Sequence, residues 1–464
     1  MRTAAEAAGV RWTDRMWPSL LIGAGGVGAG IGVATRPAGI EADCIVGLVG
    51  LGLVAGSMII GREAVIRRDW LAPAALFAIV FGMYFVLRPA VLLAGLEPVG
   101  IGKQGIWAAI VLGFVVVVGF WTGYLLPLGE SVARALPWAS KSWPKQRARI
   151  AVWLSWGLGL ASWAVMIYQS GGVVARISSY GQGVGRGLGV VVVASAVFLG
   201  MAMAVGWLSY FKGQLGRMEI AVITVSSAGM LAVHGQRAAL LVPLLMIATA
   251  YHYSVRRLRG REILLTGLVG LLIVGLLGMP RLQFVGGEQI TLGLGDYAKI
   301  TGWLIARNLT AFDSLMLVAQ RVPDEVGYQW GRSYADAVRM IVPRWLYAEK
   351  PQRNLFNRLL RPGRSGSMAL SLPAEGYLNF GLAGLLAETL VLGIAYRTAY
   401  SYRQRHPGSE PALLGYALAV PVFGLLWRGG LMGGGLGHLI GYGAVAIGVV
   451  LFCNGPRWMV ATRE

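Results

Sequence analysis

The 464-residue chain is 56% hydrophobic and only 13% charged, with a mean hydropathy of +0.62 over 49.4 kDa. A soluble protein of that mass needs a charged skin, so composition excludes the soluble classes and points to a polytopic membrane protein. The net charge of +20 would suggest nucleic acid in a soluble chain; here the positive loops that orient membrane helices are the better account.

Apolar runs of about 20 residues, each long enough to cross about 30 Å of hydrocarbon, recur along the sequence. They predict an all-α bundle with spans at 17–35, 43–61, 70–87, 105–126, 150–168, 187–210, 219–234, 238–254, 263–279, 377–395, 411–427 and 436–453. The first run is too long, and too poorly followed by a cleavage site, for a removable signal peptide. Its GAGGVG stretch, from Gly23, formally matches a dinucleotide fingerprint. No strand precedes it, and small residues that let helices approach closely explain it better. Cys44 and Cys453 lie at opposite ends of the chain, which suggests neither a disulfide framework nor a zinc site.

Basic residues crowd one set of connections, such as Arg62, Arg67 and Arg68 or the run from Arg256 to Arg261. The opposite short loops hold only Arg36, Arg88, Lys103, Arg176, Arg186, Arg237 and Arg428. That asymmetry predicts both termini in the cytoplasm. The chain then divides into nine spans over 1–279, an extracytoplasmic loop over 280–376, and three spans with a cytoplasmic tail over 377–464.

The loop is not linker-like. DYAKITGWLIARNLTAFDSLMLVAQ places Ile300, Trp303, Leu304, Phe312, Leu315 and Met316 at helical spacing, and SYADAVRMIVPRWLY is a second amphipathic stretch broken at Pro343. Two such helices predict a lid or interfacial cap over the bundle.

Charges at a membrane edge are costly and need a partner or a task. On the outer side these are mostly arginines: Arg237 in a tight turn, Arg281 directly after a span, Arg332, Arg339 and Arg344 in the second amphipathic stretch, then Lys350 and Arg428. Guanidinium forks converging on one face suit a phosphate or pyrophosphate at headgroup level, while single arginines at helix ends also snorkel to lipid phosphate. Glu375, in SLPAEGYLNFG, stands where the chain re-enters an apolar run, with Tyr377 and Asn379 beside it. Two readings stand side by side: a first-turn carboxylate stabilised by the helix dipole, or a base for a sugar hydroxyl. His438, near the outer end of the last span, is the other possible base, though it and His234 read better as packed histidines. No P-loop, HExxH or GxSxG motif is present, so ATPase, zinc protease and serine hydrolase chemistry lack support.

FDSLMLVAQ, YQWGRSYADAVRMIVPRWLYAEKP and LPAEGYLNFGLAGLL, with GQRAALL upstream, resemble in order and spacing the long periplasmic loop region of the O-antigen polymerase family, the Wzy-type oligosaccharide repeat-unit polymerases. The resemblance covers residues 235–390; before that the chain matches only as apolar spans. It implies a GT-C-like membrane glycosyltransferase of the cytoplasmic membrane, acting on its extracytoplasmic side. A glycan on undecaprenyl pyrophosphate would be transferred to the terminal sugar of a new lipid-linked unit. Arg237, Arg281 and Arg344 would hold the leaving pyrophosphate, helped by Arg332, Arg339, Lys350 and Arg428, and Glu375 would orient or deprotonate the acceptor with Tyr377 and Asn379 nearby. The family pattern implies no metal and no nucleotide-sugar cofactor. Partners would be lipid-linked glycans, the bilayer and a chain-length-regulating co-polymerase, with no nucleic acid. Glu41 and Asp43 are similar to the acidic pair of metal-dependent lipid-sugar transferases, but their loop is too short for such a site. An O-antigen ligase reaction on another acceptor and, further off, a lipid-linked oligosaccharide flippase are the competing readings; a flippase predicts mid-membrane charges and internal repeats, and no clear repeat is seen.

Overall fold

A computed structural model describes residues 69–93, 103–137, 142–178, 189–234, 237–263, 309–342, 369–432 and 436–455, with 265–267, 270, 347, 349, 351 and 359–360. Every regular element among them is helical: α1 (Pro73–Phe81), a π-helical turn (Gly82–Leu87), α2 (Arg88–Leu93), α3 (Lys103–Leu125), α4 (Leu128–Ala135), α5 (Lys145–Gln169), α6 (Val173–Ser178), α7 (Gly189–Phe211), α8 (Arg217–Val233), α9 (Arg237–Ser254), α10 (Ala311–Arg321), α11 (Arg332–Ile341), α12 (Leu372–Arg405), α13 (Glu410–Gly429) and α14 (Leu436–Asn454). Six of these, α3, α5, α7, α12, α13 and α14, are long and apolar enough to cross a membrane, so the chain is a helical membrane protein. The expected spans at 17–35 and 43–61 lie outside the described residues, as does most of 263–279.

Burial sorts the spans. The apolar windows of α3, α7 and α13 are 67%, 67% and 72% buried, against 28% for α5 and 22% for α14. The first three therefore form the centre, and α5 and α14 turn most of their apolar surface outward, where hydrocarbon replaces a protein neighbour. Phe77, Phe120, Trp121, Phe423 and Trp427 fill the centre, with the Phe77 and Phe120 rings stacked 4.1 Å apart.

Small residues set the closest helix contact. A Cβ on Gly119 would strike the Thr389 hydroxyl, one on Gly123 the Leu390 carbonyl, and one on Gly393 the Phe120 carbonyl. The backbones of α3 and α12 thus touch, as small-residue packing in membranes requires.

Two expectations need correction. The helix carrying Glu375 starts at Leu372 rather than 377, because Pro373 suits a first helical turn, and it is not straight. Phe380 (φ −139°, ψ 20°) and Gly381 (φ 63°, ψ −145°) break it. Eight residues of straight helix would separate Gly376 from Gly384 by about 12 Å; instead a Cβ on Gly376 would meet the Gly384 carbonyl at 2.8 Å. The segment before the break is folded sharply back on the shaft after it. The second correction concerns α10, which is no interfacial lid. Its Phe312, Leu315 and Val318 are fully buried against α3 and α12, and Arg88 of α2 grips Asp313 bidentately at 2.9 and 2.7 Å. Only α11 keeps the expected two-faced character, with Ser333, Asp336 and Ala337 inward and Arg332, Val338 and Arg339 outward.

Candidate functional site

Three segments meet at the break in α12: its own first turns, the N-terminal half of α11, and the connection from α13 to α14. Glu375 is completely buried among them. Its Oε1 accepts the Ser333 hydroxyl proton at 2.8 Å, and its Oε2 accepts backbone N–H groups from Leu431 at 2.6 Å and Met432 at 3.3 Å. Gly430 makes that approach possible. It holds a left-handed φ of 58°, and a Cβ there would collide with the Glu375 carboxylate.

Asn379, one turn on, uses all of its amide. Its Nδ2 donates to Ser333 Oγ at 2.7 Å and to the Glu375 carbonyl at 2.8 Å, while Oδ1 accepts from Gly331 N at 3.0 Å. The turn before α11 is also zipped to the end of this helical segment, by Gln329 N to Leu378 O (3.0 Å) and Trp330 N to Asn379 O (3.1 Å). Trp330 pays for that geometry with a positive φ of 48° and leaves its ring 74% exposed, against Tyr328 and Phe380.

A second carboxylate completes the arrangement. Among the described residues, both oxygens of Glu388 are buried without a hydrogen bond, and Oε2 lies where a Cβ on Gly376 would be 2.6 Å away. The Tyr334 hydroxyl and Gly376 N–H face Glu388 without closing a hydrogen bond. Burial, followed by the charges of Glu388 and Glu375, pushes the Tyr334 phenol well above its ordinary range.

The expected residues fall into three groups. Glu375 and Asn379 are bonded neighbours, and Tyr377 is half-buried on the same helical segment. Arg332 and Arg339 are exposed and turn toward Asp336 on their own helix, at 3.9 and 3.0 Å, rather than toward Glu375. Arg428 is partly buried near the end of α13, within electrostatic reach of Tyr84, with its Nε buried and without a hydrogen-bond partner among the described residues. Arg237 opens α9 but its side chain is not described, and Arg281, Arg344 and Lys350 lie outside the described residues. The expected convergence of arginines around Glu375 is therefore not met by Arg332 or Arg339; among the described residues, the groups on its carboxylate are one hydroxyl and two backbone amides. Glu375 does stand in the first turn of its helix, as the dipole reading asks, while its hydrogen bonds go to Ser333, Leu431 and Met432.

Sequence reasoning passed over Ser333, Tyr334 and Glu388. An acid inside the apolar run LAETLVLG was a visible signal for Glu388, since such charges are costly in a span. It also missed a second polar cluster, at the other end of α12. Asp69, 2% exposed, accepts from Tyr253 Oη and Tyr400 Oη at 2.8 Å each, with His252 Nε2 at 3.3 Å and Arg257 at 3.4 Å. Burial alone would raise the Asp69 carboxyl, but His252 close by and the hydrogen bonds from Tyr253 and Tyr400 outweigh it and leave the group below its ordinary value. His234 is packed as expected, 2.9 Å from Ser195 Oγ. No group of three or more His, Cys, Asp or Glu that could hold a metal ion occurs among the described residues.

No family model, curated protein or solved structure matches this chain.

Proposed function

We propose that the protein is a GT-C-like membrane glycosyltransferase of about twelve spans in the cytoplasmic membrane. It would polymerise undecaprenyl-pyrophosphate-linked repeat units on the extracytoplasmic side. The observation that carries this reading is Glu375, buried at a break in a membrane helix beside Ser333, Asn379, Tyr334 and Glu388. A bundle whose only task was to span would gain from apolar side chains there.

In the proposed reaction the acceptor hydroxyl oxygen attacks the anomeric carbon of the lipid-linked donor. The bond from that carbon to the pyrophosphate oxygen breaks, its electron pair leaves with the pyrophosphate, and the hydroxyl proton passes to the Glu375 carboxylate. Arg237, Arg281 and Arg344 offset the charge developing on the leaving group, with Arg332, Arg339, Lys350 and Arg428 along its approach. Because Ser333 covers Glu375, α11 moves aside for the acceptor and closes again to exclude water.

The test is transfer in vitro: purified protein in nanodiscs, lipid-linked repeat units as substrate, no metal or nucleotide, and products resolved by size. A ladder that disappears in Glu375→Gln and Arg237→Ala is expected. A ladder that survives Glu375→Gln removes that residue from the chemistry. Transfer seen only on adding a different acceptor makes the protein a ligase, and movement of the lipid-linked unit across the bilayer without transfer makes it a flippase.

A further inference from the structure

An open groove of about 890 Å³ lies between the C-terminal ends of α7 and α9 and the start of α8, at the end of the bundle opposite Glu375. Its walls are aromatic and aliphatic: Trp207, Phe211, Leu244, Ile247 and Tyr251, with Arg217 as the single charged lining residue among those described. The rings are braced against one another, Trp207 against Phe211 at 5.4 Å and Phe211 against Tyr251 at 5.6 Å, so the walls are held in shape without an occupant.

Three observations bear on what fills it. First, the apolar surface continues outward along α8, where Met218 and Val225 are 79% and 74% exposed. On the span expected over 219–234 such side chains meet hydrocarbon, so the groove opens toward acyl chains rather than toward water. Second, the volume lies within the range of small-molecule sites, and a wall with so few polar groups selects an apolar body.

Third, the rim is positive and its acids are already committed. Glu262 is held bidentately by Arg256 at 2.9 Å, and Glu219 is taken by Arg149 at 2.7 Å and by the Gly216 N–H at 3.1 Å. Arg217 makes no ion pair among the described residues, and the segment that carries the lining residue Leu258 continues into exposed Arg259 and Arg261. An apolar body ending in an anion is the ligand that satisfies all three features.

We infer that this groove is a binding site for one anionic phospholipid of the surrounding bilayer, its acyl chain between α7 and α9 and its phosphate on Arg217. The site is independent of the glycan-transfer reading. Its floor touches the Asp69 cluster, since the backbone N–H of Leu258 donates to His252 Nδ1 at 3.0 Å. A seated lipid therefore braces the connection after α9 against that cluster.

The experiment is native mass spectrometry of the full chain released from mild detergent, with phosphatidylglycerol or phosphatidylcholine added at equal concentration. Phosphatidylglycerol adducts should exceed phosphatidylcholine adducts by about fivefold, the effect of one basic side chain at a lipid phosphate. Arg217→Gln, at an exposed position, should erase that preference. Ala248→Phe, which fills the groove from its lining, should reduce both adducts. Equal retention of the two lipids by the wild type overturns the proposal. So does a preference unchanged in both variants, or a groove closed by a second copy of the chain, seen as a lipid-free dimer that Ala248→Phe dissociates.

Discussion

α12 carries a buried carboxylate cluster at each end, and the two are built on different principles. At the Tyr400 end, Asp69 is surrounded by two phenols, a histidine and an arginine, so its charge is matched by donors and a cation. At the other end, among the described residues, Glu375 has one hydroxyl and two backbone amides, with Glu388 as its neighbour and no cation on either carboxylate. A charge-matched cluster holds helices together, whereas an unmatched one keeps a strained polar group in place because the backbone leaves it no alternative. The first resembles a clamp, and the second a loaded site.

Asp69→Ala presses hardest on this comparison. It leaves the Tyr253 and Tyr400 hydroxyls without their acceptor, and should cost about 2–4 kcal/mol of stability, read as a large fall in the thermal midpoint in detergent. The same cluster should respond to acid. Because the Asp69 pKa is depressed on folding, its contribution is fully present above the ordinary value of 3.8 and is lost as pH falls through the lower folded value. The midpoint should therefore hold down to about pH 4 and then drop, and the Asp69→Ala variant should lack that limb. Gly430→Ala comes next: a methyl group at φ 58°, ψ −165° that also strikes the Glu375 carboxylate should cost about 1–3 kcal/mol. Glu375→Gln, which keeps the shape, should cost about 1–2 kcal/mol. If Glu375→Gln proved more damaging to the fold than Asp69→Ala, the contrast would be wrong. Arg339→Ala sharpens the picture from below: its exposed pair with Asp336 should be worth under about 1 kcal/mol.

The helices were legible where periodicity or length decides. The stretches 105–126, 187–210 and 411–427 correspond closely to α3, α7 and α13, because a long apolar run has one outcome in a bilayer. The break at Phe380–Gly381 was not legible. A glycine in an apolar run usually means close packing, and only the contact of Gly376 with Gly384 turns this one into a reversal. The burial of α10 was hidden for a related reason. Phe312, Leu315 and Met316 announce an apolar face but not whether lipid headgroups or protein covers it, and the partner of Asp313, Arg88, lies 225 residues away. Glu375 and Asn379 were found from their position at re-entry. Ser333, which bonds both, looked like any polar residue of an amphipathic helix.

The unequal anchoring of the two loop helices sets how each opens. To lift α10, water must reach Phe312, Leu315, Met316 and Val318 at once and separate an almost buried ion pair. To lift α11, the described contacts to release are Ser333, Gly331, the short backbone zipper at Gln329 and Trp330, and the small buried face at Asp336 and Ala337. α10 buries Phe312, Leu315, Met316, Leu317 and Val318 where α11 buries Ala337 as its apolar residue, so amide protons of α11 should exchange through a local excursion while those of α10 wait for nearly global opening. One stretch of chain between two spans thus contains a floor that holds for the lifetime of the fold and a door on a much faster clock.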